Sequence, residues 1–363
     1  MKLPLFVWAI FVTAILLLLA LPVLAGGYIA PALNLTNCWK LLLNFITQSA
    51  GNLLDYNLLG IFRDYTSEGI FCFKNLCIIP ISKYIKYSNF SYYLAGLIEG
   101  DGSIYVPKKE RSSKGKINYP SIQIVFNLKD LPLALLIQKN LGHGSLNKVK
   151  GSNAYVLTVN SNKGLILLIN LINGKLRTPK IFAFNNLIDL LKYRNKDFNI
   201  DKKELDNSYL DSNAWLSGFI ESDGHFSVRT SLNSRYTKLE CKLEISQRQN
   251  DHNGNNNLFF LEEIAIFFIT TVKNFRVNTN YPQYRVRTTN LQGNIIVENY
   301  LIKYPLFGTK YLDSIDWLKV LNYFKTSQHL SNIQEISNIK SNMNNNRIIF
   351  NWDHLQNFYK LNS

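Results

Sequence analysis

The sequence predicts an α+β fold of two similar halves, and three observations carry that reading. The segment Leu94-Ala95-Gly96-Leu97-Ile98-Glu99-Gly100-Asp101-Gly102 recurs as Leu216-Ser217-Gly218-Phe219-Ile220-Glu221-Ser222-Asp223-Gly224. The copies stand 122 residues apart (Asp101 to Asp223), which is the size of a domain and far longer than a solenoid repeat. Behind each copy the same order follows, with alternating apolar and polar runs first and apolar helical patterns after them.

Taken in order, residues 94–101 read as an apolar helix closed by an acid, and 103–106 and 121–126 alternate as strands do. Residues 130–141 have helical spacing and stop at Gly142. Residues 155–159 form another strand, 163–172 a helix ending near Gly174, and 181–193 a further helix. The second half predicts a helix at 214–223, strands at 225–230 and 239–246, and a helix at 258–270. A strand at 284–288 and helices at 295–301 and 311–323 complete it.

The repeated segment carries the chemistry. Gly96 and Gly100 stand four apart, as do Gly218 and Ser222, so each helix has a strip of small residues along which another backbone can approach. Packed strip to strip, the two helices end together, and Asp101 and Asp223 arrive side by side. Each carboxylate then meets a like charge as well as the negative end of its own helix dipole. A divalent cation relieves both. Hard oxygen ligands and open helix carbonyls favour magnesium, and phosphodiester hydrolysis is the chemistry such a site performs. Gly102 and Gly224 are expected to take the left-handed position that ends a helix, making each Asp the last helical residue. Glu99 lies about 200° around the helix from Asp101, so the metal is assigned to the aspartates.

Composition limits the partners. Forty Lys and Arg against 25 acids give a formal charge of +15, with a pI near 9.5, which points to a polyanion or an anionic membrane surface. The four cysteines, Cys38, Cys72, Cys77 and Cys241, lack the paired spacing of a zinc site and read as free thiols. No Ser, His and Asp arrangement suggests a side-chain nucleophile.

Residues 3–27 carry no charge and are long enough to cross a bilayer. The stretch from Lys2 to Gly26 resembles a transmembrane helix of cytochrome c oxidase subunit 1, as if an upstream exon were read in frame into an intron. No haem or copper ligands come with it. The expected division is a 1–26 exon-like transmembrane segment, a 27–88 connector, a first half at 89–200, a second at 201–326, and a polar, Asn-rich, flexible or accessory tail at 327–363.

The two motif copies, with their acids and terminal glycines, resemble the LAGLIDADG homing endonucleases over roughly residues 89–324. That resemblance implies two pseudo-twofold-related αββαββα-like halves in one monomer, with saddle-shaped antiparallel sheets lying on double-stranded DNA. It implies divalent ions, Mg2+ or another such as Mn2+, held by Asp101 and Asp223 with the carbonyls of Gly100 and Ser222. A basic residue near the metals matches Lys180 and Lys310, each at the start of the helix after the second strand pair. A polar residue near the attacking water matches Gln247, whose counterpart in the first half is Phe126, so unequal half-sites are expected.

Strand alternation supplies the base-reading candidates. In residues 225–229, His225, Ser227 and Arg229 face one way and Phe226 and Val228 the other. Glu240, Lys242 and Glu244 oppose Cys241, Leu243 and Ile245 in the same manner, and Gln283, Arg285 and Arg287 share a face. Ser103, Tyr105, Ser121 and Gln123 are their first-half counterparts, while Lys108, Arg111, Lys114 and Lys116 suit phosphates. The function expected is a site-specific, metal-dependent double-strand DNA endonuclease of intron homing in the mitochondrion. The alternatives are an RNA maturase acting on its own group I intron, whose RNA would be the partner, and a membrane protein.

Overall fold

The computed structural model describes residues 89–195, 198–231 and 238–362. The exon-like segment, its transmembrane assignment and the connector lie outside those residues. Among the described residues no helix is long and apolar enough to cross a membrane.

The first half runs α1 (Asn89–Asp101), β1 (Gly102–Tyr105), β2 (Ser121–Asn127), α2 (Leu131–Leu141), β3 (Ser145–Lys148), β4 (Ala154–Val159), α3 (Asn162–Ile172) and α4 (Lys180–Arg194). The second half repeats it with α5 (Trp215–Asp223), β5 (Gly224–Ser231), β6 (Lys238–Arg248), α6 (Leu258–Phe267), β7 (Lys273–Phe275), β8 (Gln283–Arg287), α7 (Leu291–Lys303) and α8 (Thr309–Lys325). Local signals set several ends. Gly142 closes α2 at φ 62, Ser161 caps α3 by accepting from the Gly164 N–H, and Asn290 caps α7 by accepting from the Gly293 N–H.

Each half holds a four-stranded antiparallel sheet, ordered β1-β2-β4-β3 in the first and β5-β6-β8-β7 in the second. Gly102 pairs with Ile124 and Gly224 with Ile245, so the two sheets share one register and Phe126 occupies the position of Gln247. The inward faces are apolar. Ile122, Ile124, Leu157 and Val159 line one core and Phe226, Leu243, Ile245 and Val286 the other, all under helices.

The central contact is α1 against α5. A Cβ on Gly96 would stand 2.0 Å from the Trp215 carbonyl oxygen, and one on Gly218 1.9 Å from that of Tyr93. No side chain larger than hydrogen fits at either place, so the backbones touch. Because both helices are enclosed on nearly all sides, their apolar residues run all the way round rather than along one stripe.

Two expectations are corrected. Gly102 and Gly224 do not adopt the left-handed conformation: Gly224 has φ −73, ψ 148, and neither glycine has a positive φ. Each helix passes straight into a strand, and a Cβ there would meet its own preceding turn, 2.5 Å from the Ile98 oxygen at Gly102 and 2.7 Å from the Ile220 oxygen at Gly224. The edge strands β3 and β7 escape the sequence pattern because they are three or four residues long, largely polar and hydrogen-bonded on one side only. The polar tail, expected to be flexible or accessory, is packed. It forms α9 (Ile333–Ser341), buries Ile336 and Met343, and wedges Phe358 against Phe90 and Phe307 at ring distances of 5.5 and 4.9 Å. Arg347 pins it by bonding Asp313 and Asp316 at 2.9 and 2.6 Å.

Candidate active site

Asp101 ends α1 and Asp223 ends α5, as the repeat predicts, and the seam brings the two ends together. A Cβ on Gly100 would lie 1.7 Å from Ser222 Oγ and 2.7 Å from Asp223 Oδ2. The missing side chain at Gly100 is what admits the second carboxylate beside the first. Desolvation is the largest influence on both acids. It pushes Asp223 up to about 6, reinforced by the charge of Asp101 and opposed by Lys310, Lys180 and the Gln247 hydrogen bond. Asp101 is the more open of the two at the surface, yet its carboxyl is also raised by desolvation against the pull of Lys310 and Lys180.

The two lysines anticipated beside the acids are there, and their contacts are specific. Lys180 Nζ donates to the carbonyls of Ile98, Gly100 and Gly102 at 3.0, 2.9 and 2.6 Å. Lys310 Nζ donates to the Ser222 carbonyl and, at 3.4 Å, to that of Ile220. Each ammonium therefore caps the negative end of a motif helix. Burial holds the Lys180 pKa below its ordinary value, while Glu99, Asp223 and Asp101 pull it the other way.

Gln247, the polar residue that the resemblance implies beside the acids, donates from Nε2 to Asp223 Oδ2 at 2.7 Å. In the first half the buried ring of Phe126 fills that place. The site is thus asymmetric in its hydrogen bonding.

Glu99 and Glu221 turn out to be struts of the seam. Glu99 accepts from the Arg177 and Thr178 N–H groups and from Thr178 Oγ1, and across the seam from Trp215 Nε1 at 2.6 Å. Glu221 mirrors it, accepting from the Phe307 and Gly308 N–H groups at 2.6 and 3.0 Å and from the Tyr93 hydroxyl at 3.2 Å. Each glutamate ties its helix to the turn that delivers a lysine. Sequence reasoning missed Asp130, which accepts from the Thr309 N–H at 2.6 Å and so caps α8 in the other half while adding negative charge near Asp101. No local signal marks it, since its partner lies 179 residues away.

The other predicted residues divide as follows. Ser103, Tyr105, Gln123, His225, Ser227, Arg229, Lys242, Gln283, Arg285 and Arg287 share the outward faces of the sheets, in the registers Ser103–Gln123, His225–Glu244–Arg287 and Ser246–Arg285. Lys108 is exposed in the connection after β1, outside the strands. Arg285 lies over the Phe275 ring at 3.2 Å and bonds Ser246 Oγ, and Lys242 pairs with Glu240 at 2.6 Å.

Among the described residues no group of three or more His, Cys, Asp or Glu side chains converges as a metal cage. The donor set is instead two carboxylates and the remaining lone pairs of two helix-end carbonyls, Gly100 and Ser222, which also accept from Lys180 and Lys310. It fits a cation such as magnesium, which takes one or two carboxylates and completes its shell with water and substrate phosphate. The raised Asp223 pKa is a second sign of fit, because burial first and the charge of Asp101 second oppose its ionisation beyond what Lys310 and Lys180 offset, and a divalent cation would relieve both.

The sequence model described as LAGLIDADG endonuclease matches the chain twice, over residues 94–191 and 216–321. The chain belongs to the LAGLIDADG endonuclease family. It is 35% identical over 310 residues to the intron-encoded DNA endonuclease aI3 of Saccharomyces cerevisiae, covering 76% of this chain and 74% of that protein. The intron-encoded RNA maturase bI4 of the same yeast is 33% identical over 179 residues, covering 49% of this chain and 25% of the maturase. Among solved structures, the I-SmaMI LAGLIDADG homing endonuclease bound to cleaved DNA superposes with a TM-score of 0.55 at 18% identity, covering 71% of this chain and 98% of that one. That likeness shows the LAGLIDADG fold, with the two motif helices at its centre.

Proposed function

We propose that this LAGLIDADG protein is a site-specific double-strand DNA endonuclease of intron homing that hydrolyses one phosphodiester bond on each strand with divalent metal. The observation that carries this reading is the pairing of Asp101 and Asp223 at the common end of a glycine-lined seam, with a lysine on the carbonyls behind each. Asp101, Asp223 and the carbonyls of Gly100 and Ser222 would hold Mg2+, or Mn2+ in its place. A bound cation supplies charge stabilisation at the scissile phosphate and eases deprotonation of water.

The chain's own groups do the rest. Asp101 and Asp223 must be ionised to bind, which sets a lower pH limit near the Asp223 value of about 6. Lys180 and Lys310 neutralise the helix ends and stand ready to stabilise charge that develops on the phosphate. Gln247 fixes the orientation of the Asp223 carboxylate. The sheet faces hold the duplex in its major groove, which admits β-ribbons. The reading includes a monomer whose halves are 89–200 and 201–326, and an exon-like N-terminus that places the protein in the mitochondrion and in its membrane until processed.

A second reading is supported by the likeness to an RNA maturase: assistance to splicing of its own group I intron, whose RNA the same basic surface would hold. One experiment separates them. Full-length protein is incubated with a duplex spanning the uninterrupted exon junction in magnesium, and both strands are sized. A discrete cut on each strand is expected; an intact duplex in magnesium and in manganese, with faster splicing of the intron RNA, overturns the nuclease reading.

A further inference from the structure

The outward faces of the two sheets are chemically opposite. On the first sheet every outward strand position is uncharged at neutral pH, and Ser103, Tyr105, Gln123, Val125, Asn147 and Val156 dominate it. Val125 is 42% and Tyr105 52% exposed, although both belong to regular strands. On the second sheet the same surface is a lattice of charge. Arg229 stands opposite Glu240, Glu244 is flanked by His225 and Arg287, and Arg285 lies 3.8 Å from Glu244.

Base pairs present different partners in the major groove. Adenine offers an acceptor and a donor that suit an amide side chain, and thymine a methyl group that suits apolar contact. Guanine offers two acceptors that suit an arginine fork, and cytosine a donor that suits a carboxylate. We infer that the two halves read opposite base compositions. The first sheet reads an A·T-rich half-site through the amides of Gln123 and Asn147 and the methyls of Val125 and Val156. The second reads a G·C-rich half-site through Arg285, Arg287, Glu240 and Glu244. The inference rests on the nuclease reading above and names the substrate class of each half.

Three features support this assignment. The Arg285 guanidinium lies over the Phe275 ring, with its carbon 3.2 Å from the ring centre, and its Nε donates to Ser246 Oγ, so the side chain is held in place on the reading face with Nη2 left to meet a guanine. The Lys242–Glu240 pair at 2.6 Å is already formed and keeps Glu240 ionised, with its pKa lowered first by that hydrogen bond. The first half is not short of positive charge. Its Lys108, Arg111, Lys114 and Lys116 all lie in the connection between β1 and β2, outside the reading face, where phosphate contact costs no base discrimination.

The test is selection of full-length protein on a randomised duplex library in EDTA, which withholds cleavage while leaving phosphate binding. A bipartite consensus is expected, with A·T pairs enriched in one half and G·C pairs in the other. Arg285→Ala with Arg287→Ala should relax the G·C half alone, by roughly 5- to 150-fold per base pair read. Gln123→Ala with Val125→Ala should relax only the A·T half. Against a variant that fails to fold, the DNA itself is altered. Uracil in place of thymine should weaken binding from one half-site, and 7-deazaguanine in place of guanine from the other. A consensus of equal composition in both halves, or both base analogues weakening the same half, overturns the inference and leaves the nuclease reading standing. Retention of no duplex at all overturns both.

Discussion

Gln247 Nε2 donates to Asp223 Oδ2 at 2.7 Å, whereas Phe126, at the matching place in the other sheet, offers Asp101 nothing to bond. Two helices related by near-repetition thus present two carboxylates with different surroundings. Gln247→Leu should slow cleavage of one strand by roughly 10- to 100-fold, the worth of one hydrogen bond to a charged group, and move the acid limb of the pH–rate profile upward. Strand-resolved nicking assays across pH check this; equal slowing of both strands with an unchanged profile speaks against it.

Asp101→Asn should abolish cleavage in magnesium while leaving duplex affinity within about tenfold, because phosphate contacts distributed over a basic surface supply most of the binding. Cleavage assays and binding titrations on the same preparation decide it. Loss of binding together with loss of the folded signal would assign Asp101 to structure.

Gly96→Ala should destabilise the protein by about 4 kcal/mol or more, at the extreme of single substitutions, since the added carbon would stand 2.0 Å from a backbone oxygen that no rotamer change can move. Gly218→Ala should match it, its carbon meeting the Tyr93 carbonyl at 1.9 Å. Urea denaturation measures both, and a mild effect at either position would mean that the seam opens easily.

In EDTA, stability should fall as pH rises from about 5 to 8. Burial raises Asp223 to about 6 and Glu221 to about 7. The folded chain therefore keeps protons that the unfolded chain has already released, a preference that is lost as pH passes through those values. Magnesium should reduce the fall by binding the ionised pair in the folded state only. Thermal melts at the two pH values, with and without the ion, give the sign directly.

Legibility was uneven for physical reasons. Elements with strong period or a capping residue were readable: α2, expected at 130–141 and closed by Gly142, and β5 with Phe226 and Val228 inward, match their predicted places. The lysines and Gln247 came through the family resemblance rather than through spacing, since Lys180 follows Asp101 by 79 residues and Lys310 follows Asp223 by 87. Where a residue's role depends on a partner far along the chain, the sequence was silent. Asp130 caps a helix of the opposite half, and the tail looks like a solvated end until Phe358 is seen between Phe90 and Phe307.

By itself the sequence determined the duplication, the acids at the helix ends and the small residues four apart, because repetition and periodicity are properties of one dimension. Only the tertiary structure decided what the glycines are for. Gly102 and Gly224 remove a collision with the turn before them rather than supply an unusual backbone angle, and Gly100 clears room for the carboxylate of Asp223. It also gave Glu99 and Glu221 their hydrogen bonds across the seam. Close approach is a relation between distant segments, and no local pattern can encode which atom will be waiting there.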